Sequence, residues 1–207
     1  MARQPRLELP GRAYHVTQHG VDDRRIFVDD IDCDLFLRFL GEEIARSDWT
    51  CLSYCLMRTH YHLLVRLNKP TLSSGFQRLN LRYAIAYNKR QERRGHLFEG
   101  RYKDDLIESL GHHAEVTRYI HLNPVRAGIC PEPEQYQWSD YGSTVGLYIG
   151  EFIVDTAAAL EPFGSDVKQA RATYQKFVRE ADRRVRRGQV RDWPQRGPYQ
   201  APGLAPE

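Results

Sequence analysis

The sequence holds little cysteine, four residues in 207, scattered as Cys33, Cys51, Cys55 and Cys130. That excludes a disulfide framework, and Cys51 and Cys55, although spaced as a metal pair could be, fall in a strand-like run where a thiol packs as a small apolar group. Long hydrophobic runs are also missing: none approaches the roughly 20 residues needed to cross a bilayer. The opening Met1-Ala2-Arg3-Gln4-Pro5-Arg6 lacks the apolar core of a signal peptide. No membrane partner is expected, and a cytoplasmic location is. There is no internal repeat, and no low-complexity tract before Arg183.

What is present is a globular composition, 41% hydrophobic and 28% charged, long enough for one well-cored domain plus an extension. The net charge of +3 conceals segregation. Between residues 71 and 103, Arg78, Arg82, Lys89, Arg90, Arg93, Arg94, Arg101 and Lys103 face only Glu92 and Glu99, and residues 183–196 carry six arginines against Asp192. Basic patches of this kind suit a phosphate backbone, although a solvated helix face and a charged tail give the same pattern. Tyr83 and Tyr87 lie among the first group, where aromatic faces beside cations can stack unpaired bases or simply pack the helix edge.

Along the chain, alternation and β-branched residues predict a first strand over 12–19 ending at Gly20, with His15 and His19 on one face. Those two can meet a nucleic acid or line a polar sheet face. Asp29 or Asp30 caps a helix near 30–47, whose stripe is Leu35, Phe36, Phe39, Leu40 and Ile44. A second strand over 50–57 turns through Arg58-Thr59 into a third over 60–67. A helix from Leu72 to about Arg94 follows, burying Leu72, Phe76, Leu79, Tyr83 and Ile85-Ala86. A short strand over 105–108 leads to a helix running from Ser109 or Gly111 to Asn123, where Pro124 is expected to stop it. Strand, helix, strand, strand, helix, strand, helix is the order of an α+β, ferredoxin-like or split βαβ antiparallel sheet, expected to carry helices on one face and leave the other open.

Chemistry concentrates in two places. In Leu56-Met57-Arg58-Thr59-His60-Tyr61-His62-Leu63-Leu64-Val65, strand alternation points both imidazoles to one side and Tyr61 to the other. Two nitrogens so placed can hold a cation, and equally can form a polar stripe. In Glu115-Val116-Thr117-Arg118-Tyr119-Ile120-His121-Leu122-Asn123, Tyr119 and Asn123 share a helix face while Val116 and Ile120 anchor another. A free phenol has a pKa of about 10 and needs a nearby cation to act as a nucleophile, and an amide oxygen is a suitable ligand for a hard cation. Together with basic surroundings, this set suits metal-assisted phosphoryl transfer on a nucleic acid.

These motifs resemble those of a known family. His60-Tyr61-His62 looks like the histidine-hydrophobic-histidine (HUH) motif, and Arg118-Tyr119-Ile120-His121-Leu122-Asn123-Pro124-Val125-Arg126-Ala127-Gly128 looks like the tyrosine motif of single-tyrosine HUH (IS200-like) transposases. The branch most resembled is the REP-associated tyrosine transposases. Tyr14-His15-Val16-Thr17-Gln18, Leu97-Phe98-Glu99-Gly100-Arg101-Tyr102-Lys103 and Trp138-Ser139-Asp140-Tyr141 add matches in consistent order. The chain departs in having Arg58-Thr59 where the family commonly has proline and asparagine, and a tyrosine in the hydrophobic slot of the motif.

The resemblance implies a DNA endonuclease and strand transferase that recognises a hairpin with adjacent single-stranded DNA. Tyr119 would attack a backbone phosphate to give a 5′-phosphotyrosine and a 3′-hydroxyl, with Mg²⁺ or Mn²⁺ held by His60, His62 and Asn123. Rejoining would need no ATP. DNA contacts are expected from Arg78, Arg82, Tyr83, Lys89, Arg90, Arg93, Arg94, Arg101 and Lys103, in a monomer or homodimer. The alternatives are a catalytically silent hairpin-binding regulator on the same scaffold and a nuclease that activates water. The expected organisation is a catalytic domain over 1–147, a helical extension over 148–182 and a basic, proline-rich tail over 183–207.

Overall fold

The computed structural model describes residues 7–149 and 153–186, with the backbone alone for 181–186. The expected tail over 183–207 therefore lies almost wholly outside the described residues. Strands β1 (Ala13–His19), β2 (Trp49–Met57), β3 (His60–Leu67) and β4 (Lys103–Leu106) form one antiparallel sheet in the order β2-β3-β1-β4. Helix α1 (Asp30–Ser47) joins the first two strands and α2 (Leu72–Arg90) joins the last two, and α3 (Leu110–Arg126) follows β4. This is the ferredoxin-like order that the element pattern predicts. Short helices α4 (Tyr141–Thr144) and α5 (Thr156–Ala159) lead to α6 (Val167–Arg186). No helix of the described residues is long and apolar enough to cross a membrane.

Strand alternation builds the larger core layer. Tyr14 and Val16 of β1 and Tyr61, Leu63, Val65 and Leu67 of β3 meet Cys33, Phe36, Leu37 and Leu40 of α1 and Leu72, Phe76, Leu79, Tyr83 and Tyr87 of α2. The α2 stripe differs from the expected one at Ile85, which is 61% exposed, because Tyr87 turns inward and donates its hydroxyl to Arg25 O at 2.8 Å. Helix α2 comes so close to Trp49 that a Cβ at Gly75 would stand 2.3 Å from the indole ring. The helices start where short polar side chains accept a first-turn amide: Asp29 from Asp32 N, Ser109 from His112 N and Asp166 from Gln169 N.

The opposite face is not open. Helix α3 crosses it, burying Val116 and Ile120 against Ala13, Leu52, Cys55, Met57, Leu64 and Ile107. A β-bulge between Cys51 and Ser53 turns both Leu52 and Ser53 toward this helix. Helix α6 then covers the outer side of α3, with Leu122, Tyr141, Leu160, Ala170, Tyr174 and Val178 in one cluster and the Arg118 guanidinium 4.0 Å from the Phe177 ring. The chain between α3 and α6 runs along the outer edge of β2, through Leu56 N to Trp138 O at 2.8 Å and Asp155 N to Cys51 O at 3.0 Å, and so closes that edge.

Helix α3 also continues past Pro124, where the sequence predicts a stop. The proline gives up a single backbone hydrogen bond, and the last turn is rebuilt by Ala127 N to Asn123 O, Gly128 N to Val125 O and Ile129 N to Pro124 O, with Gly128 at φ 68°.

A buried polar cluster ties these layers together. Asp140 accepts from Tyr54 N at 2.6 Å, Ser53 Oγ at 3.0 Å and Thr144 Oγ1 at 2.8 Å, and lies 2.9 Å from His121 Nε2. His121 Nδ1 is 2.5 Å from the Tyr174 hydroxyl. Removing the carboxylate strands several buried donors at once, so Asp140→Ala is expected to cost about 3–5 kcal/mol, against about 1 kcal/mol for Tyr174→Phe. Urea denaturation of the two variants measures this, and near-equal small losses would contradict it.

Candidate functional site

The site grows from the register of β1 against β3. His60 and His62 stand on the α3 face, while Tyr61 enters the core with its hydroxyl donating to Asn80 Oδ1 at 2.7 Å. That bond explains how a polar aromatic occupies an apolar slot. The register pairs Thr17 with His62 and His19 with His60, so β1 sets its own polar residues beside both imidazoles. His62 Nδ1 lies 3.0 Å from His15 Nε2 and 3.3 Å from Thr17 Oγ1. The His60 ring stacks on His19 at 4.6 Å, with His60 Nδ1 3.1 Å from Thr59 Oγ1. The His60 and His62 rings are 5.0 Å apart and perpendicular.

Helix α3 brings Tyr119 to this pair. Its ring centroid is 5.4 Å from that of His62 and 6.0 Å from that of His15, edge-on to both. On its other side the Arg126 guanidinium lies 5.2 Å from the ring centroid, two turns along the helix. Continuation through Pro124 is what carries Arg126 there. Asn123 sits one turn beyond Tyr119 and donates its amide to Tyr119 O at 2.8 Å, which leaves Oδ1 as its outward acceptor.

Burial controls the imidazoles. It drives the His15 and His60 pKa values down to about 4, with His112 and His19 respectively adding to the effect, and drives that of His62 well below the usual value, with His15 and His60 reinforcing it. The rings are therefore neutral at pH 7, the form in which a nitrogen lone pair can bind a metal. His62 Nε2 is buried and has no hydrogen-bond partner. A proton on Nδ1 satisfies His15 or Thr17 and directs the Nε2 lone pair into the site, as a metal-binding histidine requires. His60 Nε2 is likewise opposite a ring nitrogen already engaged by Thr59. Among the described residues no three His, Cys, Asp or Glu side chains form a ready cation cluster. A metal held here by two imidazole nitrogens therefore draws its further ligand from another group, and the Asn123 amide has the right chemistry.

The basic residues are distributed differently from expectation. Arg78 is paired with the buried Glu43 at 2.6 Å and with Ser47, Arg82 pairs with Glu42 at 2.5 Å and lies over Phe39, and Arg90 bridges Asp29 and Asp32. All three join α2 to α1 on the sheet face away from the imidazoles. Tyr83 is fully enclosed, its hydroxyl donating to Ile26 O at 2.5 Å, so it offers no face to a base and the expectation that it stacks on DNA is corrected. Arg93 lies 5.9 Å over the Tyr87 ring, while Lys89, Arg94 and Arg101 are exposed. Lys103 is paired in register with Thr17, and its charge depresses the His19 pKa after burial does. It is the one expected DNA contact placed beside the imidazoles.

Four residues outside the expected site set belong to this arrangement: His15, Thr17, His19 and Arg126. The alternation of 12–19 already marked His15 as facing one way with His19. Nothing in the spacing showed which strand would lie beside His62, or that the helix would carry Arg126 past a proline.

A four-stranded antiparallel sheet with a strand-borne imidazole pair opposed by a helix-borne tyrosine defines the class of fold and site. The family model described as "Transposase IS200 like" matches residues 11–123, and the chain belongs to that family. Among solved structures, a REP-associated tyrosine transposase bound to a REP hairpin matches with TM-score 0.62 at 15% identity, covering 72% of this chain and 88% of that one. It shares the fold. A putative transposase from Deinococcus radiodurans R1 matches with TM-score 0.41 at 15% identity, covering 57% and 95%. No curated protein matches the chain.

The depressed imidazoles fix how stability depends on pH. His15, His60 and His113 take up protons at about pH 4 in the folded chain and at about 6.5 when unfolded. The unfolded state therefore binds more protons between those limits, so stability is full above about pH 6.5 and falls as the pH drops toward 4. Urea midpoints of the metal-free protein from pH 8 to pH 4 should decline over that window; a flat or rising profile would contradict the buried neutral assignment.

Proposed function

We propose that this IS200-like transposase is a metal-dependent single-strand DNA endonuclease and strand transferase that recognises a DNA hairpin and uses Tyr119 as its nucleophile. The observation that carries the reading is the Tyr119 ring set 5.4 Å from His62, whose buried Nε2 lacks a partner. Recognition of a hairpin is supported by the likeness to the transposase bound to one.

On this reading Tyr119 Oη forms a bond to the phosphorus while the P–O3′ bond breaks, and the phenol proton is lost as the departing oxygen becomes a 3′-hydroxyl. The phosphotyrosine keeps the phosphodiester energy for rejoining. His60, His62 and Asn123 would hold Mg²⁺ or Mn²⁺, which supplies charge to polarise the phosphate. His15 and Thr17 orient His62, and Arg126 places a positive charge on the face of the nucleophile's ring. Lys89, Arg93, Arg94, Arg101 and Lys103 are the cations offered to the DNA backbone, with Lys103 nearest the reacting phosphate. Arg78, Arg82 and Arg90 act by holding α2 to α1. The catalytic domain spans 1–147, and the extension over 148–182 braces α3. The site is complete within one chain, as a monomer or in each subunit of a homodimer.

The test is incubation with hairpin-flanked single strands drawn from sequence beside the chain's own coding region. A covalent protein–DNA adduct should form with Mg²⁺ or Mn²⁺ and fall about a hundredfold or more in Tyr119→Phe and on chelation. Tight hairpin binding without an adduct would make the chain a silent binder, and multiple turnover without one would assign a water nucleophile.

A further inference from the structure

At the other end of the face that carries the imidazoles lies a cavity of about 380 Å³, within the size range of small-ligand sites. Its polar wall consists of Arg12 at the start of β1, Arg66 of β3, Glu108, the α3 cap Ser109, His113 and Glu161. Ala13, Ile107 and Leu110 add apolar surface. Arg66 and Glu161 form an ion pair. His113 is 2% exposed, and its Nε2 has no hydrogen-bond partner. A buried polar atom left unsatisfied is costly, and the residue that carries it lines this cavity.

The chemistry of the wall narrows the ligand. Two guanidinium groups face two carboxylates, so the cavity offers no net charge to a phosphate even though it lies at a helix N-terminus. The Arg66–Glu161 pair presents N–H donors beside carboxylate acceptors, and His113 lines the same cavity with Ala13, Ile107 and Leu110. A planar, uncharged heterocycle carrying both donors and acceptors matches this wall; guanidinium donors suit ring carbonyl and imine acceptors, and carboxylates suit ring and exocyclic N–H groups. The position fits as well. Arg66 is four residues beyond His62 on β3, about 13 Å. The α3 start is nine residues before Tyr119, again about 13 Å. That span is about four nucleotides of a stacked strand at 3.4 Å each, and fewer of an extended one.

We propose that this cavity is a reading pocket for one unpaired nucleobase of the DNA strand, held between the Arg66–Glu161 pair and the His113 imidazole a few nucleotides from the phosphate that Tyr119 attacks. The inference rests on the reading of the chain as a single-strand DNA enzyme. It adds a base-specific contact to that reading, on the side of the sheet face remote from the metal ligands.

The test begins with the full chain labelled at histidine, titrated by NMR with each deoxynucleoside 5′-monophosphate and with deoxyribose 5-phosphate and inorganic phosphate as controls. The His113 ring resonances should move with at least one nucleotide and with neither control. Arg66→Ala and Glu161→Gln should each weaken that nucleotide about tenfold or more. Urea midpoints of both variants matching the wild type guard against a folding defect. Equal movement with inorganic phosphate would make the cavity an anion site, and no movement with any nucleotide would leave no base pocket; either result overturns the proposal. A second arm scans abasic residues through a hairpin-flanked strand. In the wild type one position should cost about tenfold in binding, and Glu161→Gln should erase that position's effect. Adduct formation with an abasic profile identical in wild type and variants would overturn the pocket while leaving the nickase reading intact. Nucleotide-specific movement of His113 without adduct formation would do the reverse.

Discussion

A carboxylate cut off from water, Asp140, holds the layer that carries the candidate site in register. Burial alone would raise its pKa, but the His121 imidazole and the donors from Tyr54, Ser53 and Thr144 hold it below the ordinary range. Those partners belong to β2, α3 and α4, and His121 passes the connection on to Tyr174 of α6. Four elements separated by up to 121 positions in sequence thus share one charge, counting from Ser53 to Tyr174. Tyr119 lies two residues before His121 on the same helix, so whatever fixes the imidazole fixes the phenol over the sheet. A buried charge of this kind is weak grounds for stability on its own, yet breaking it is expensive, and that asymmetry gives α3 a single placement.

The sheet divides its labour between faces. One takes the bulk of the apolar core and joins α1 to α2 by ion pairs that consume Arg78, Arg82 and Arg90. The other face is polar at one end, where His15 and His62 meet Tyr119 with Thr17, His19 and His60 beside them, and at the opposite end, where Arg12, Arg66 and His113 border the cavity. The apolar contacts of Val116 and Ile120 lie between. Neutral, desolvated imidazoles at the first end suit metal binding at pH 7, while their low proton affinity makes the fold sensitive to acid. Structure and chemistry draw on the same burial.

Much of this was legible in the residues. The alternation of 60–67 put His60 and His62 on one face, and the spacing of 116–123 separated the anchors Val116 and Ile120 from Tyr119. The polar residues Asp29 and Ser109 marked two helix starts. What the sequence withheld was long-range. The acids that neutralise the α2 arginines lie 35 to 61 residues upstream, so a local charge count read as a DNA-binding face what is in large part a helix–helix seam. Tyr83 fits both the buried stripe and a set of stacking aromatics among cations, and the partner that decides for the core, Ile26 O, is 57 residues away. That α3 covers the face expected to be open was not legible, because the bulge at Cys51/Ser53 and the return of the chain along β2 have no periodic signature. Pro124 obeyed its rule only in part: the helix lost one hydrogen bond but gained two residues that bring Arg126 to Tyr119.

The central claim is that the nucleophile is the phenol that α3 holds against the β1–β3 imidazoles. Peptide mapping of a protein–DNA adduct by mass spectrometry tests it most directly. The account predicts a single modified peptide, with the nucleotide joined through a 5′-phosphate to Tyr119. Attachment at Tyr102, at any other tyrosine or at a serine would contradict it.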